Sequence, residues 1–296
     1  MKVTIITACY NRANTIGNAL GSVLRQTYHD IEYIVVDGAS TDGSTSVIEE
    51  CLNSSKFIVH SSKFNSVDSC HDSAKFEKIQ SFSRCSKSSK FTVRFVSEPD
   101  HGMYEAINKG IGMATGDVIA LCHSDDQLYD EHTVESIVET FERHPEADMV
   151  YADGIFVNEH GKAIRIWKGG QNRRWKLNCG WLPLHTTFYI KKSVFDKYGL
   201  YDESYRIAAD TKMLLTLLYK ERLKTAYLNR YVVRMLMGGK STAMNRQQEM
   251  WQEDVRVFKE VGFKFPRIMK TMKMAWKPMQ FVRAKFADAT KTKTIR

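Results

Sequence analysis

VTIITACYNRANTIGNALGSVLRQTYHDIEYIVVDGASTDGSTSVIEECL, residues 3–52, holds two strand-and-helix periods in succession. Residues 3–9 are an apolar, β-rich run that reads as a buried strand. Over 15–25, Ile16, Leu20, Val23 and Leu24 recur at helical spacing, and Asn14 stands where a helix cap belongs. EYIVVD at 32–37 is a second buried strand, 38–43 a turn and 44–52 a second helix. A strand that returns to its sheet through a helix pairs in parallel, so the stretch predicts a parallel sheet.

Outward from there the alternation breaks at 53–91. Four near-copies of one tetrapeptide (SSKF at 54–57, 61–64 and 88–91, SAKF at 73–76) mark this as a low-complexity insertion on the surface. The pattern then resumes with strands at 92–97, 117–122 and 148–153 and helices at 101–114 and 131–143. Met103, Ala106, Ile107 and Ile111 share one face of the first of these helices. Asn158–Gly161 reads as a hairpin turn between 155–157 and 162–167, and helices follow at 191–198 and 207–220. Gly238-Gly239 is a further turn. No linker splits this body, so residues 1–243 are expected to form one domain and 244–296 a C-terminal helical extension.

Hydrophobic residues make up 43% and charged residues 26% of the 296, which suits a globular chain with a sizeable core. The net charge of +9 is not spread evenly. Residues 264–296 hold ten Lys or Arg and one acid, so the tail carries the whole excess and the body is neutral. A nucleic-acid-binding domain would spread its basic residues over the folded body. A polybasic tail fits an anionic membrane surface instead. Within it, apolar residues at 265, 268, 269, 272, 276, 279, 282 and 286 form one helical stripe, and Lys270, Lys273, Lys277 and Arg283 lie largely off it. That is the pattern of a helix lying in a membrane interface, or of one docked on the body with a solvated basic side, with Pro278 kinking it or starting a second helix. The run at 3–9 is too short for a secretory signal, and no segment reaches the roughly 18 apolar residues a bilayer span needs. The six cysteines show neither CxxC pairs nor zinc spacing, which points to reduced structural thiols.

HSDD at 123–126 directly follows a buried strand, and ligands of open α/β sheets bind at the carboxyl ends of strands. Adjacent carboxylates there call for a cation, and a hard divalent ion commonly bridges such groups to a substrate diphosphate. Elsewhere an Asp-Asp pair is an ordinary solvated turn. Asp37, at the end of the second strand, and EPDHG at 98–102, after the third, bring further acids to the same edge; Asp42 reads equally well as a helix cap. GxxxxGK[ST], GxGxxG after the first strand and the GxSxG elbow are all absent, which excludes a P-loop enzyme, a standard dinucleotide binder and an α/β-hydrolase.

In order, ITACYNR at 6–12, EYIVVDGASTDGS at 32–44 and SEPDHGMYEAINKGIGMATGDVIALCHSDD at 97–126 closely resemble inverting family 2 glycosyltransferases, nearest the bacterial capsular and exopolysaccharide enzymes of the colanic-acid type. The likeness runs on through LPLHTTFYIKKSVFDKYGLYDESYRIAADTKMLL at 182–215. It implies a GT-A fold: α/β, with a Rossmann-like, mostly parallel central sheet flanked by helices. It also implies roles. Thr7, Tyr10 and Arg12 would line the nucleotide base and Asp37 would bond its edge. Asp100 and Asn108 would shape that pocket, with Lys109 near the phosphates. Asp125 would meet the ribose, Asp126 would ligate Mn²⁺ or Mg²⁺, His185 would lie near the diphosphate and Asp210 would be the general base. Two places depart from the family's pattern: Thr211-Lys212 follow the base, and Thr186 follows the histidine where Gln is usual.

The resemblance thus implies transfer of a sugar from a nucleotide-diphosphate donor, a UDP-sugar by family tendency, to a hydroxyl of a glycan or lipid-linked oligosaccharide in surface polysaccharide synthesis. With the basic tail, it places the protein in the cytoplasm, peripheral on the cytosolic face of the inner membrane. A single base suits one in-line displacement, whereas a hydrolase needs a second carboxylate. A sugar-phosphate nucleotidyltransferase is the alternative enzyme, but it calls for a Gly-rich basic loop and residues 8–14 hold one Arg and no Gly. A nucleic-acid-binding protein and a catalytically dead binding module are the non-enzymatic alternatives; the neutral body opposes the first and intact Asp125, Asp126 and Asp210 oppose the second.

Overall fold

The computed structural model describes residues 1–54, 57–61, 79–84, 90–237 and 246–286. Two compact units divide the chain, Met1–Glu135 with Lys191–Tyr201, and Ser136–Ile190 with Asp202–Arg296. The expected class is what the molecule has: α/β, with sheet strands flanked by helices and further helices at the C-terminus.

In the first unit the elements are β1 (Val3–Cys9), α1 (Ala13–Leu24), β2 (Ile31–Asp37), α2 (Ser44–Ser54), β3 (Phe57–Ser61), β4 (Ile79–Arg84), β5 (Thr92–Ser97), α3 (Met103–Met113), β6 (Val118–Leu121) and β7 (Asp126–Leu128). The sheet runs β3-β4-β5-β2-β1-β6. β5, β2, β1 and β6 are mutually parallel, with Asp37 beside both Cys9 and Ser97 in register. Every residue of β1 and β2 is buried, which is why these runs are apolar throughout rather than alternating. β4 pairs antiparallel with both β5 and β3. The insertion therefore extends the sheet by two strands that its Ser- and Lys-rich composition did not reveal.

Asn14 does not cap α1. It lies inside the helix, and the Arg12 N-cap position makes no side-chain cap bond. The loop after β2 serves instead. Asp42 Oδ2 accepts from the Ala13 N–H at 3.0 Å, and Ser44 Oγ accepts from the Arg12 N–H at 2.7 Å. Asp42 Oδ1 also accepts from the Ser44 N–H at 3.0 Å, so this acid is a cap for two helix starts.

Next along the chain come α4 (Thr133–Arg143), β8 (Met149–Val157), β9 (Ala163–Trp167), α5 (Arg174–Asn178), β10 (Tyr189–Lys191), α6 (Lys192–Tyr198), α7 (Ala209–Leu215), β11 (Thr225–Leu236), α8 (Gln247–Val261), α9 (Pro266–Ala275) and α10 (Lys277–Phe286). In the second unit β8 is the hub, buried at all nine positions, antiparallel to β9 and β10 and parallel to β11. The expected turn closes β8 onto β9, with the Asn158 N–H donating to Lys162 O. The helix expected over 207–220 is shorter: α7 gives way to a wide π turn at Thr216–Lys220. Pro266 opens α9, and Pro278 sits in the first turn of α10, where its missing N–H costs nothing. Gly238-Gly239 lies outside the described residues.

Both tail helices turn their lysines and apolar residues in an order the stripe did not predict. Lys270 is buried, and Lys270 and Lys273 both pair with Asp254 of α8. Ile268, Met279 and Val282 are exposed. The four described cysteines, Cys9, Cys51, Cys122 and Cys179, are free thiols.

Candidate active site

Because four parallel strands end together, the first unit gathers acids along one edge. Asp37, fully buried, accepts from the Ser40 N–H at 2.9 Å and the Ser97 hydroxyl at 2.8 Å, which locks the β2 and β5 ends together. Asp100 lies over Gly38, where any Cβ would collide with its carboxylate, and its Oδ1 accepts from the Gly102 N–H at 3.0 Å. Asn11 and Ala39, in the loops after β1 and β2, hold positive φ of 52° and 58°. Left-handed backbone at non-glycine residues is strained and concentrates at functional sites.

Around that edge the other expected donor-side residues divide by environment. Tyr10 is half-exposed and Arg12 partly so. Thr7 has no exposed surface: its hydroxyl is 2.9 Å from Tyr33 Oη and donates to Cys122 O at 2.5 Å. Asn108 is also buried and spans the Tyr201 backbone, donating to its carbonyl at 2.8 Å and accepting from its N–H at 3.0 Å. Lys109 is held by Glu98 at 2.9 Å and Glu105 at 3.1 Å.

Asp125 and Asp126 follow β6. Asp126 is 1% exposed, and its Oδ2 has no hydrogen-bond partner among the described residues. Burial, and then the charge of Asp125, push its carboxyl well above the usual range. An orphaned buried carboxylate oxygen beside a second carboxylate fits a divalent cation. No cluster of three or more His, Cys, Asp or Glu side chains stands ready to hold one among the described residues.

In the second unit Asp210 stands in the first turn of α7. Its Oδ2 is 3.1 Å from His185 Nδ1, and its Oδ1 accepts from the Thr211 N–H at 2.7 Å. No side chain of α7's own cap residue closes the helix start. Glu253 of α8 instead holds the chain that leads into it, accepting from the N–H groups of Arg206, Ile207 and, at the cap position, Ala208, each at 2.8 Å. His185 and Asp210 line a cavity of about 100 Å³ walled by Trp167, Trp181, Trp276 and Lys277. The indole N–H of Trp167 donates to Leu182 O at 3.0 Å and that of Trp276 to Cys179 O at 2.9 Å.

Both departures after the base have a structural use. Lys212 pairs with Asp202 at 2.5 Å and with Glu260 of α8 at 2.7 Å. Thr211 Oγ1 accepts from Lys273 of α9 at 3.0 Å. They fasten the C-terminal helices to the helix that carries Asp210.

Sequence reasoning missed the tail's share of this cavity. Trp276, Lys277 and Gln280 were legible only as parts of an amphipathic stripe, because nothing in their spacing says which side of the helix meets the body. It also missed Asp153 of β8, which is wholly buried and accepts from Lys168 at 2.6 Å and the Tyr227 hydroxyl at 2.8 Å.

Residues 4–66 and 66–199 match the family model described as Glycosyl transferase family 2. A PGL/p-HBAD biosynthesis glycosyltransferase of Mycobacterium bovis (strain BCG / Pasteur 1173P2) is 23% identical over 231 residues, 76% of this chain and 73% of its own. Among solved structures, S. aureus TarS 1-349 in complex with UDP-GlcNAc superposes over 99% of this chain and 74% of its own, with TM-score 0.60 and 15% identity. Of the longer TarS chain the match spans 44%. The mannosyltransferase PcManGT from Pyrobaculum calidifontis, in complex with GDP-Man and Mn²⁺, covers 98% of this chain and 75% of its own, with TM-score 0.58 and 16% identity. At these identities the structural likeness speaks for the fold.

Proposed function

Because the chain belongs to glycosyl transferase family 2, we propose that it is a metal-dependent, inverting enzyme that moves a sugar from a nucleotide-diphosphate donor to a glycan or lipid-linked acceptor. On this reading residues 1–243 are the catalytic domain, and 244–296 an extension that adds a wall to the acceptor cavity. The edge bearing Tyr10, Arg12, Asp37, Asp100, Asp125 and Asp126 takes the donor, with Thr7, Asn108 and Lys109 supporting it from behind. Asp126 with Asp125 would hold Mn²⁺ or Mg²⁺, which when bound supplies Lewis-acid stabilisation of the charge on the departing diphosphate.

Asp210 is the base. The acceptor hydroxyl gives its proton to the Asp210 carboxylate as its oxygen bonds to the anomeric carbon, and the bond to the diphosphate oxygen breaks on the opposite face. The configuration inverts because this is one displacement. His185 keeps the carboxylate oriented through its 3.1 Å contact. That contact, in a cavity lined by three tryptophans, is the observation that carries the assignment.

A uridine donor is favoured by TarS, whose structure holds UDP-GlcNAc, while PcManGT holds GDP-Man. Surface polysaccharide assembly at the cytosolic face of a membrane is the setting this donor class and the basic tail suggest. The test is release of nucleoside diphosphate from a panel of UDP-, GDP- and dTDP-sugars with Mn²⁺, alongside Asp126→Ala and Asp210→Ala. Metal-dependent release from one donor, lost in the Asp126 variant, is expected. No release and no nucleotide-induced thermal shift with any donor would overturn the reading.

A further inference from the structure

Positive charge around the acceptor cavity exceeds what its neighbours neutralise. Lys270 and Lys273 share the single carboxylate of Asp254, and Asp210 is engaged by His185. Lys277 lines the cavity and makes no ion pair among the described residues. Arg165, 7% exposed, donates from Nε to Gln280 Oε1 at 2.5 Å, and Gln280 and Trp167 both line the cavity. The guanidinium is stacked 4.7 Å from the Phe156 centroid and 4.6 Å from that of Trp167, and its Nη2 has no hydrogen-bond partner among the described residues. Burial, with Arg165, Lys270 and Lys273 repelling it, holds Lys277 below the usual lysine range.

Cations held out of water without a counter-charge are costly, and folded proteins keep them where a ligand supplies the missing charge. A space of about 100 Å³ has room for a carboxylate or phosphate group. The tryptophans of its lining suit the ring that would carry such a group.

Resting on the assignment of this cavity to the acceptor, we propose that the acceptor sugar carries an anionic oxygen group, phosphate or carboxylate, which Lys277 binds in the cavity with the Arg165–Gln280 pair behind it. Acceptor choice then depends on charge as well as shape. Neutral sugars leave Lys277 unpaired in the filled site, which penalises them.

Three of the five tryptophans line the cavity, so intrinsic fluorescence reports its occupancy without any transfer reaction. The full chain is titrated with glucuronate, glucose 6-phosphate and glucose, and UDP binding with Mn²⁺ is measured in parallel as a donor-side control. At least one charged sugar is expected to bind about tenfold or more tighter than glucose, the scale of a charge-assisted hydrogen bond. Whichever is preferred tells carboxylate from phosphate. Lys277→Met should abolish the preference and Lys277→Arg restore it, with UDP binding unchanged in both. Equal binding of all three sugars, no fluorescence response to any, or a preference that survives Lys277→Met in a protein that still binds UDP would overturn the proposal. If the methionine variant fails to bind UDP, Lys277→Gln takes its place and the same reading applies. Donor-side measurements on the unaltered protein separate the two claims: no nucleoside diphosphate release and no nucleotide binding, with a charged-sugar preference intact, would sink the transferase reading and leave the anion site standing.

Discussion

Asp126 carries a conflict between stability and chemistry. Its buried Oδ2 lacks a partner and its neighbour is a second acid, so in metal-free protein the carboxylate works against folding. Asp126→Asn should raise the midpoint of thermal unfolding in chelator while removing nucleoside diphosphate release. A lower midpoint would mean that the carboxylate is satisfied by something other than a cation. Glu32 is the opposite case. Burial would raise its pKa, but the Thr115 N–H, Arg94 and the Thr4 hydroxyl outweigh burial and hold it at about 2, below the ordinary 4.5. A carboxyl depressed in the folded state contributes stability above its unfolded value and loses it as the pH falls through the folded one. Urea unfolding across pH 4.5 to 2 should therefore show a decline that Glu32→Gln flattens. An identical slope in the two proteins would count against this account.

Elements here are held by one another more than by their own ends. α7 has no side-chain cap of its own, and the chain that leads into it is held by Glu253, which accepts from the N–H groups of Arg206, Ile207 and Ala208. Glu253→Ala should cost about 1–3 kcal/mol in urea unfolding, the scale of lost hydrogen bonds to a charged group, and should slow transfer by loosening the approach to Asp210. Retained stability and rate would show that this anchor is idle. Gly180 has φ +71°, and a Cβ there would lie 2.6 Å from the Lys273 backbone nitrogen in α9. Gly180→Ala should cost about 1–3 kcal/mol, from the strained backbone and the displaced helix. Thermal unfolding checks it, and an unchanged midpoint would put α9 elsewhere. Both contacts join segments roughly 50 to 90 residues apart, which is why neither was legible in the sequence. Periodicity showed β1, α1, β2 and α3 because the signal is local and repeats. It missed β3 and β4, where Ser and Lys break the alternation that marks a strand, and it misplaced the α1 cap, which the β2 loop supplies.

At the scale of the whole molecule the sequence's charge asymmetry acquires a different meaning. Acids at strand ends were legible because parallel topology sends every such end to one edge, and the resemblance supplied their order. The stripe suits a membrane interface or a docked helix with a solvated basic side, but Lys270 and Lys273 are spent on Asp254. What faces outward on α9 and α10 includes Ile268, Met279 and Val282. No helix among the described residues is long and apolar enough to cross a membrane, so a peripheral attachment, as proposed, would rest on these side chains and on the remaining basic residues. The full chain should sediment with phosphatidylglycerol vesicles, less so as salt rises, and Ile268→Asp with Val282→Asp should lower the bound fraction several-fold. Equal sedimentation of both proteins would remove these helices as the contact.

Trp276, Lys277 and Gln280 reach the acceptor cavity from the last fifty residues of the chain, while Asp125 and Asp126 belong to its first half. With that cavity taking the acceptor and the acidic edge the donor, as proposed, selection can redraft what is glycosylated without rewriting what is donated. A crossover near residue 245 exchanges a wall of the acceptor cavity in one event and leaves the acidic edge untouched. Paralogues that share a donor and differ in product are the natural yield of such a chain, and grafting tails between them is the corresponding route for engineering.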